Sequence, residues 1–344
     1  MSKQFRNRLT VSIALLALTT LALGTVGCGK SDGPQNMVSQ VNQQNQNTVS
    51  GNQAAEGQAN TVDDYAMQYQ QKANTLQEVD EASKEAQTLV KNAVQVSRTL
   101  KNYSYTYTDN REQSLGDTSS TYAKQTNGFI LNDVAAPRFK KVSNIKVSST
   151  GEDDFVNTIE TYYALNDAGM VVGYNKVAET EWEKVTTDSS SMDYILQTCT
   201  DSPVSMAVEP MVAATSFKVT GEQEVDGKVC TMVEAKVPLT NIVKYLELTN
   251  GTMLEANPDI IANIAGQQGE IVITYYIGKD DNIIYKLIKD EKAYQQAYNN
   301  AKVEEQSAAA QVKSSVVEIT VDKVGIEEFE IPQEALDAAE GEAN

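Results

Sequence analysis

Apolar residues first run unbroken, then vanish, then recur at helical spacing and finally alternate, and each change marks a different kind of segment. Leu9 to Gly27 is apolar apart from scattered Ser and Thr, and it follows the basic residues Lys3, Arg6 and Arg8. That order is the layout of an export signal. The run is borderline for a spanning helix, which needs ~20 mainly apolar residues. Residues 29–60 are rich in Gln, Asn, Gly and Ser and nearly lack large side chains. Such a segment buries too little surface to offset chain entropy, which predicts a disordered tether. As a flexible coil it would span ~30 Å root-mean-square. From about Thr61 the pattern turns helical. "EASKEAQTLVKNAVQVSRTL" places Leu89, Ala93, Val96 and Leu100 on one stripe with Val90 and Val94 beside it. The preceding stretch, "DDYAMQYQQKANTLQEVD", is more polar and predicts either a frayed first half or a separate exposed helix.

Beyond Leu100 the period becomes two. Tyr103, Tyr105 and Tyr107 alternate with Ser and Thr, and Phe155, Ile159 and Tyr163 share one face of "FVNTIETYYAL", which "NDAG" turns back into "MVVGYN". Asp226-Gly227 is a two-residue hairpin turn between strands that place Val229, Val233 and Val237 for a core. Ile271, Ile273, Tyr275 and Ile277 alternate before Asp280-Asp281-Asn282 returns the chain into "IIYKLIK", and a last strand carries Val317, Ile319 and Val321. Between these hairpins Leu239, Ile242, Val243 and Leu246 recur at helix spacing, with Gly251 placed to close the helix. Asn257 and Pro258 read as the N-cap and first residue of a short helix that Gly266 ends. Residues 291–311, rich in Ala, Gln and Glu, fit either a helix or a long loop. The acidic chain after Pro332 is expected to fray.

Three cysteines change the picture. Cys28 ends the apolar run behind Thr25-Val26-Gly27. This resembles the lipobox of bacterial lipoproteins, in which the cysteine sulfur takes a diacylglyceryl group and the signal is cut just before it. Gly27 fits that pattern, whereas Thr25 stands where Leu is usual. A plain cleaved signal or an uncleaved helix are the alternatives. Two acyl chains, at ~0.8 kcal/mol per buried CH₂, suffice for stable anchoring to the membrane. Cys199 and Cys230 either pair in an oxidising compartment or remain two separate buried thiols.

Charge and composition act mainly by exclusion. Losing Lys3, Arg6 and Arg8 with the signal takes the formal net charge from −19 to −22. So acidic a surface repels phosphate backbones, so no nucleic-acid partner is expected. There is no histidine. That removes Ser-His and Cys-His nucleophile pairs, histidine metal sites and imidazole acid–base chemistry. "SNIK" at Ser143–Lys146 matches the Ser-x-x-Lys of acyl-enzymes only in letters, because it lies in an apparent strand. "GCGKSDG" lacks phosphate-loop spacing. "GEDD" and "KDD" place carboxylates in turns rather than in an ordered calcium loop. Two glycosidase carboxylates cannot be chosen among 47 acidic residues. Trp182 reads as core or cleft wall, with core the default. No enzyme activity, cofactor or metal is expected.

Anchor, tether, amphipathic helix, Tyr-rich strand and hairpins broken by short helices together resemble the LolA-like superfamily of lipoprotein-sorting and lipid-carrier proteins, including the LppX/LprG type. The residues that carry the resemblance are "LVKNAVQVSRTLKNYSYTYT", "TYYALNDAGMVVGYN" leading to "EWEKV", "FKVTGEQEVDGKVCTMVEAKV" and "YYIGKDDNIIYKLI", within about residues 86–332. The resemblance implies an α+β fold: a strongly curved antiparallel half-barrel sheet with an N-terminal amphipathic helix and short helices closing its mouth. The organisation expected is a signal at 1–27, a tether at 28–60, one domain at 61–332 and an acidic tail at 333–344. Tyr103, Tyr105, Phe155, Ile159, Tyr163, Ile271, Ile273 and Tyr275 are the expected lining for a lipid or other hydrophobic ligand. Two function classes follow. One is a lipid-anchored carrier on the extracytoplasmic face of the cell membrane. The other is an envelope interaction protein with a filled core and an acidic surface for a protein partner.

Overall fold

The alternating segments pair into a single eleven-stranded antiparallel sheet that curves without closing. Its strands are β1 (Asn102–Leu115), β2 (Thr118–Leu131), β3 (Arg138–Ser149), β4 (Phe155–Leu165), β5 (Val171–Val177), β6 (Glu183–Thr186), β7 (Ser216–Val225), β8 (Lys228–Pro238), β9 (Glu270–Gly278), β10 (Ile284–Asp290) and β11 (Gln311–Val324). The helices are α1 (Lys84–Ser97), α2 (Ile242–Thr249), α3 (Pro258–Ala265), α4 (Lys292–Ala301) and α5 (Gln333–Leu336). This computed structural model describes residues 78–132, 137–186, 207, 210–249, 257–302 and 308–338. The signal, Cys28, the tether, most of the polar stretch before α1, Cys199 and Gly251 lie outside the described residues. Among the described residues no helix is long and apolar enough to cross a membrane.

Strand order is β6-β5-β4-β3-β2-β1-β11-β10-β9-β8-β7. Two meanders therefore lie side by side, joined where the first strand pairs with the last. Local turns set the meanders. Asp226 and Gly227 take φ of 47° and 79°, the left-handed pair that a two-residue hairpin requires, and fix Val225 opposite Lys228. Asn282, with φ of 57°, and Gly169, with φ of 75°, turn the other two anticipated hairpins. Register shifts in β1–β11, β9–β10 and β7–β8 mark bulges, which bend and twist the strands that carry them.

Helices α1 to α4 lie on one face. Asp80 Oδ1 accepts from Ser83 N at 2.9 Å and opens a 3₁₀ turn, Glu81–Ser83, that runs into α1. The buried face of α1 is Ala86, Val90, Ala93, Val94 and Ser97. Val90 and Val94 sit at its centre, and Leu89 and Leu100 are its partly buried margins, so the stripe is rotated from the expected one. Ser83 Oγ accepts from Phe217 N at 3.1 Å, and Ser97 Oγ accepts from Ile284 N at 2.9 Å. Both ends of α1 are thereby pinned to sheet backbone. α2 buries Ile242, Tyr245 and Leu246 but leaves Val243 exposed, while Ile261 and Ile264 of α3 are buried. Pro258 opens α3 and Gly266 ends it, although the Asn257 side chain makes no capping bond. Of the stretch 291–311, Lys292–Ala301 form α4 and Gln311 begins β11, while 303–307 lie outside the described residues.

The opposite, outer face carries two smaller clusters. Val225, Cys230, Tyr276 and Tyr285 pack on the β7–β10 side. On the β3–β6 side the C-terminal segment crosses the strands, with Phe329, Ile331 and the fully buried Ala335 against Tyr162, Val172, Tyr174 and Trp182. Arg138 Nη1 donates to Phe329 O at 2.7 Å and holds the strap down. The chain just after Pro332 is thus packed rather than frayed, because Ala335 is small enough to seat a helical turn on the sheet.

Candidate functional site

Register places the inner-face side chains in rows. Tyr103, Ile130, Phe139, Tyr163 and Gly173 are successive partners across β1 to β5. Phe139 and Tyr163 stack with ring centroids 5.9 Å apart. Two tyrosines lie flat because glycines stand opposite them. A Cβ on Gly128 would collide with Cζ and Cε1 of the Tyr105 ring, and one on Gly173 would sit 3.1 Å from Tyr163 Cε1. The result is a smooth aromatic floor, all of it buried. Across the seam the same face continues as Ile271, Ile273 and Tyr275 of β9, beneath the helices. Tyr275 Oη donates to Ala207 O at 3.0 Å.

Six of the eight expected lining residues, Tyr103, Tyr105, Tyr163, Ile271, Ile273 and Tyr275, fall in this one core cluster. Ile159 is buried on the same face but in a separate cluster with Tyr122 and Ile145. Phe155 lies beyond it at the strand end and is 51% exposed, so it joins neither cluster. Val229 is likewise exposed at the end of β8, whereas Val233 and Val237 are fully buried. Cys230 is a buried free thiol on the outer face, and burial pushes its pKa up. "SNIK" is dispersed by β3 itself: Ser143 points inward, while Lys146 is on the outer side with Asp154 at 2.7 Å.

What separates the two inner clusters was not anticipated from the sequence. It is a polar band across the inner face. Thr126 and Ser143 are cross-strand partners whose hydroxyls bond at 2.8 Å, and both are buried. Lys141 and Thr161 are partners in the row on one side, and Lys124 and Asp109 in the row on the other. All four are buried. Lys124 Nζ lies 5.2 Å from the Tyr107 ring centroid. Asp109 accepts from Arg111 Nε at 2.9 Å and Nη2 at 2.6 Å, a bidentate pair, and Arg111 Nη1 reaches Gln295 Oε1 at 3.3 Å. Burial opposes the Arg111 cation, but Asp109, with Glu291 and Tyr107 adding, holds its pKa above the ordinary value. Nearby, Lys289 Nζ sits 5.3 Å from the Tyr245 ring, and Tyr245 Oη donates to Glu291 Oε1 at 3.2 Å. Burial, then Glu291, raises the pKa of Tyr294.

None of this assembles a nucleophile with a base. Among the described residues, no group of three or more acidic or cysteine side chains is placed to hold a metal. The arrangement can instead sequester: a broad apolar floor interrupted by buried cations and hydroxyls.

No protein-family model matches the chain, and neither does any curated protein. Solved structures do. LprF from Mycobacterium bovis is 14% identical with a TM-score of 0.38, over 74% of this chain and 100% of that one. The Mycobacterium tuberculosis lipoprotein LppX is 11% identical with a TM-score of 0.32, over 71% of this chain and 97% of that one. At such identities, function has to be read from this chain's own residues. LprF and LppX are among the solved structures this chain is similar to, as the order of its sequence elements leads one to expect.

Proposed function

We propose that this chain is a membrane-anchored, extracytoplasmic lipoprotein that holds a lipid or other hydrophobic molecule against the inner face of its sheet and catalyses no reaction. One observation carries the reading. The buried apolar inner face runs past the four helices: among the described residues, α1 to α4 pack mainly over β7 to β11, while the equally buried floor of Ile130, Phe139, Tyr163 and Val171 continues across β2 to β5. An apolar face of that width is unfavourable in water when bare, so a ligand on it would take the place of whatever buries it over β2 to β5. In this reading the sheet acts as a half-barrel, with Tyr103, Tyr105 and Tyr163 beneath the ligand and α2 and α3 at the mouth. Ile271, Ile273 and Tyr275 form the wall where the helices already sit.

A second reading has an observation of its own. Over β7 to β11 the interior is filled by Val90, Ile242, Ile264 and Tyr275, all essentially without exposure. Carried through the whole molecule, that filling would leave an envelope protein acting through its acidic surface. Native mass spectrometry of the protein extracted from membranes separates the two. A carrier retains a lipid mass that organic extraction removes; a chain at its bare mass across lipid classes leaves only the interaction reading. The anchor is tested in the same cells with a labelled fatty acid. Label should enter the protein and be lost in Cys28→Ser, and equal labelling of that variant would remove the lipobox assignment.

A further inference from the structure

Among the described residues, only four charged side chains are buried: Asp109, Lys124, Lys141 and Lys289. Three of the four are basic, in a chain whose net charge is −19. The one buried acid, Asp109, pairs bidentately with Arg111 and stands opposite Lys124 across the β1–β2 ladder. Lysine is among the residues least often buried, and its charge in an apolar interior is costly unless an anion faces it. Here the bias is opposite to that of the surface, and it is concentrated on one face of one sheet.

Geometry singles out two of the lysines. Lys141 and Lys124 lie one row to either side of the Thr126–Ser143 pair, on adjacent strands. Side chains two residues apart on a strand are separated by ~7 Å, about the reach of an extended lysine. Lys124 already bends towards that middle row, since its ammonium lies over Tyr107, the cross-strand partner of Thr126. Of the two bonded hydroxyls, one donates to the other and the second keeps its proton for another acceptor. Thr161, opposite Lys141, adds a third hydroxyl.

We propose that this patch is an anion site: the hydrophobic ligand carries an acidic head group, a carboxylate or phosphate, held between Lys124 and Lys141 above the Thr126–Ser143 hydroxyls. The inference rests on the carrier reading and deepens it. Both lysines also keep interactions within the chain, and the entering anion adds to these or exchanges with them. The acyl chain would lie on the aromatic floor that begins beside Lys141, where Gly128 and the flat Tyr105 ring adjoin it.

The test is binding of four probes of equal chain length to the full chain: a sixteen-carbon fatty acid, the matching alkyl phosphate, and the uncharged methyl ester and alcohol. Charge-assisted hydrogen bonds predict that an anionic probe binds roughly tenfold to a hundredfold more tightly than the neutral ones. Lys124→Met with Lys141→Met should abolish that preference while leaving ester affinity in place; which of carboxylate and phosphate binds better identifies the head group. Equal affinity of acid, phosphate and ester for the unaltered protein overturns the anion site and leaves the carrier. A preference that survives in the folded double variant also overturns it. Failure of all four probes to bind removes the carrier reading and this inference together. Should the variant not fold by its circular dichroism, the comparison on the unaltered protein still decides.

Discussion

Tyr105 owes its position to a residue that has no side chain. Its ring occupies the space above Gly128, its cross-strand partner, and Tyr163 does the same above Gly173. A tyrosine lying along the sheet keeps the floor shallow, where an upright ring would fill it. Gly128→Ala should therefore force Tyr105 off the sheet. Overpacking of this kind costs ~1–3 kcal/mol in urea unfolding. The attribution is checked by a double-mutant cycle: in a Tyr105→Ala background the cost of Gly128→Ala should largely disappear. A cost that is the same in both backgrounds would show that the ring is not what Gly128 accommodates.

Among the elements, the C-terminal strap is the one whose role has the cleanest readout. Removing residues 326–344 uncovers Tyr162, Val172, Tyr174 and Trp182. Trp182 is the only tryptophan and lies 5.6 Å from the Tyr162 ring, so its emission should move to longer wavelength. Losing the packing of Phe329 and Ile331 should lower stability by about 3 kcal/mol. Unchanged emission would mean that the strap does not shield this face. The strap also shows where sequence reading stops. Its acidic composition hides two apolar anchors and one alanine, and no local period marks a segment that packs across strands. Strand β2 was hidden for a related reason. Its inner face is Ser120, Tyr122, Lys124, Thr126, Gly128 and Ile130, so the alternation that betrays β9 or β11 is erased by the polar band itself. The hairpin at Asp226-Gly227 and the strands around it were legible because turn chemistry and period agree there. Which face was buried could be read for Tyr103, Tyr105 and Tyr163, but not how far along a strand burial extends; hence Phe155.

At the scale of the whole molecule, tyrosines on both faces tie stability to alkaline pH. Burial, followed by bonds to Glu160 and Asp281, raises the pKa values of Tyr162 and Tyr285, and burial pushes Tyr298 up to about 12. Unfolded, each ionises near its ordinary value of about 10. Above that pH the unfolded chain binds fewer protons than the folded one, so stability falls as pH rises. These groups should leave stability unchanged below pH ~9 and erode it from pH ~10 through 12. Tyrosinate absorbance from them should appear only together with loss of structure; ionisation that precedes unfolding would contradict the prediction. The pairing of β1 with β11 bears on how such a molecule comes into being. Hairpins within each meander form between near neighbours, but the seam joins partners such as Tyr107 and Ile319, more than two hundred residues apart. Closing so distant a contact is slow. While the chain emerges from its amino end, β1 therefore waits as an open edge until the last strand arrives. Such an edge is a template for pairing with other chains. A growing copy of this protein is thus most exposed to misassembly at the very strand that ends up at its centre.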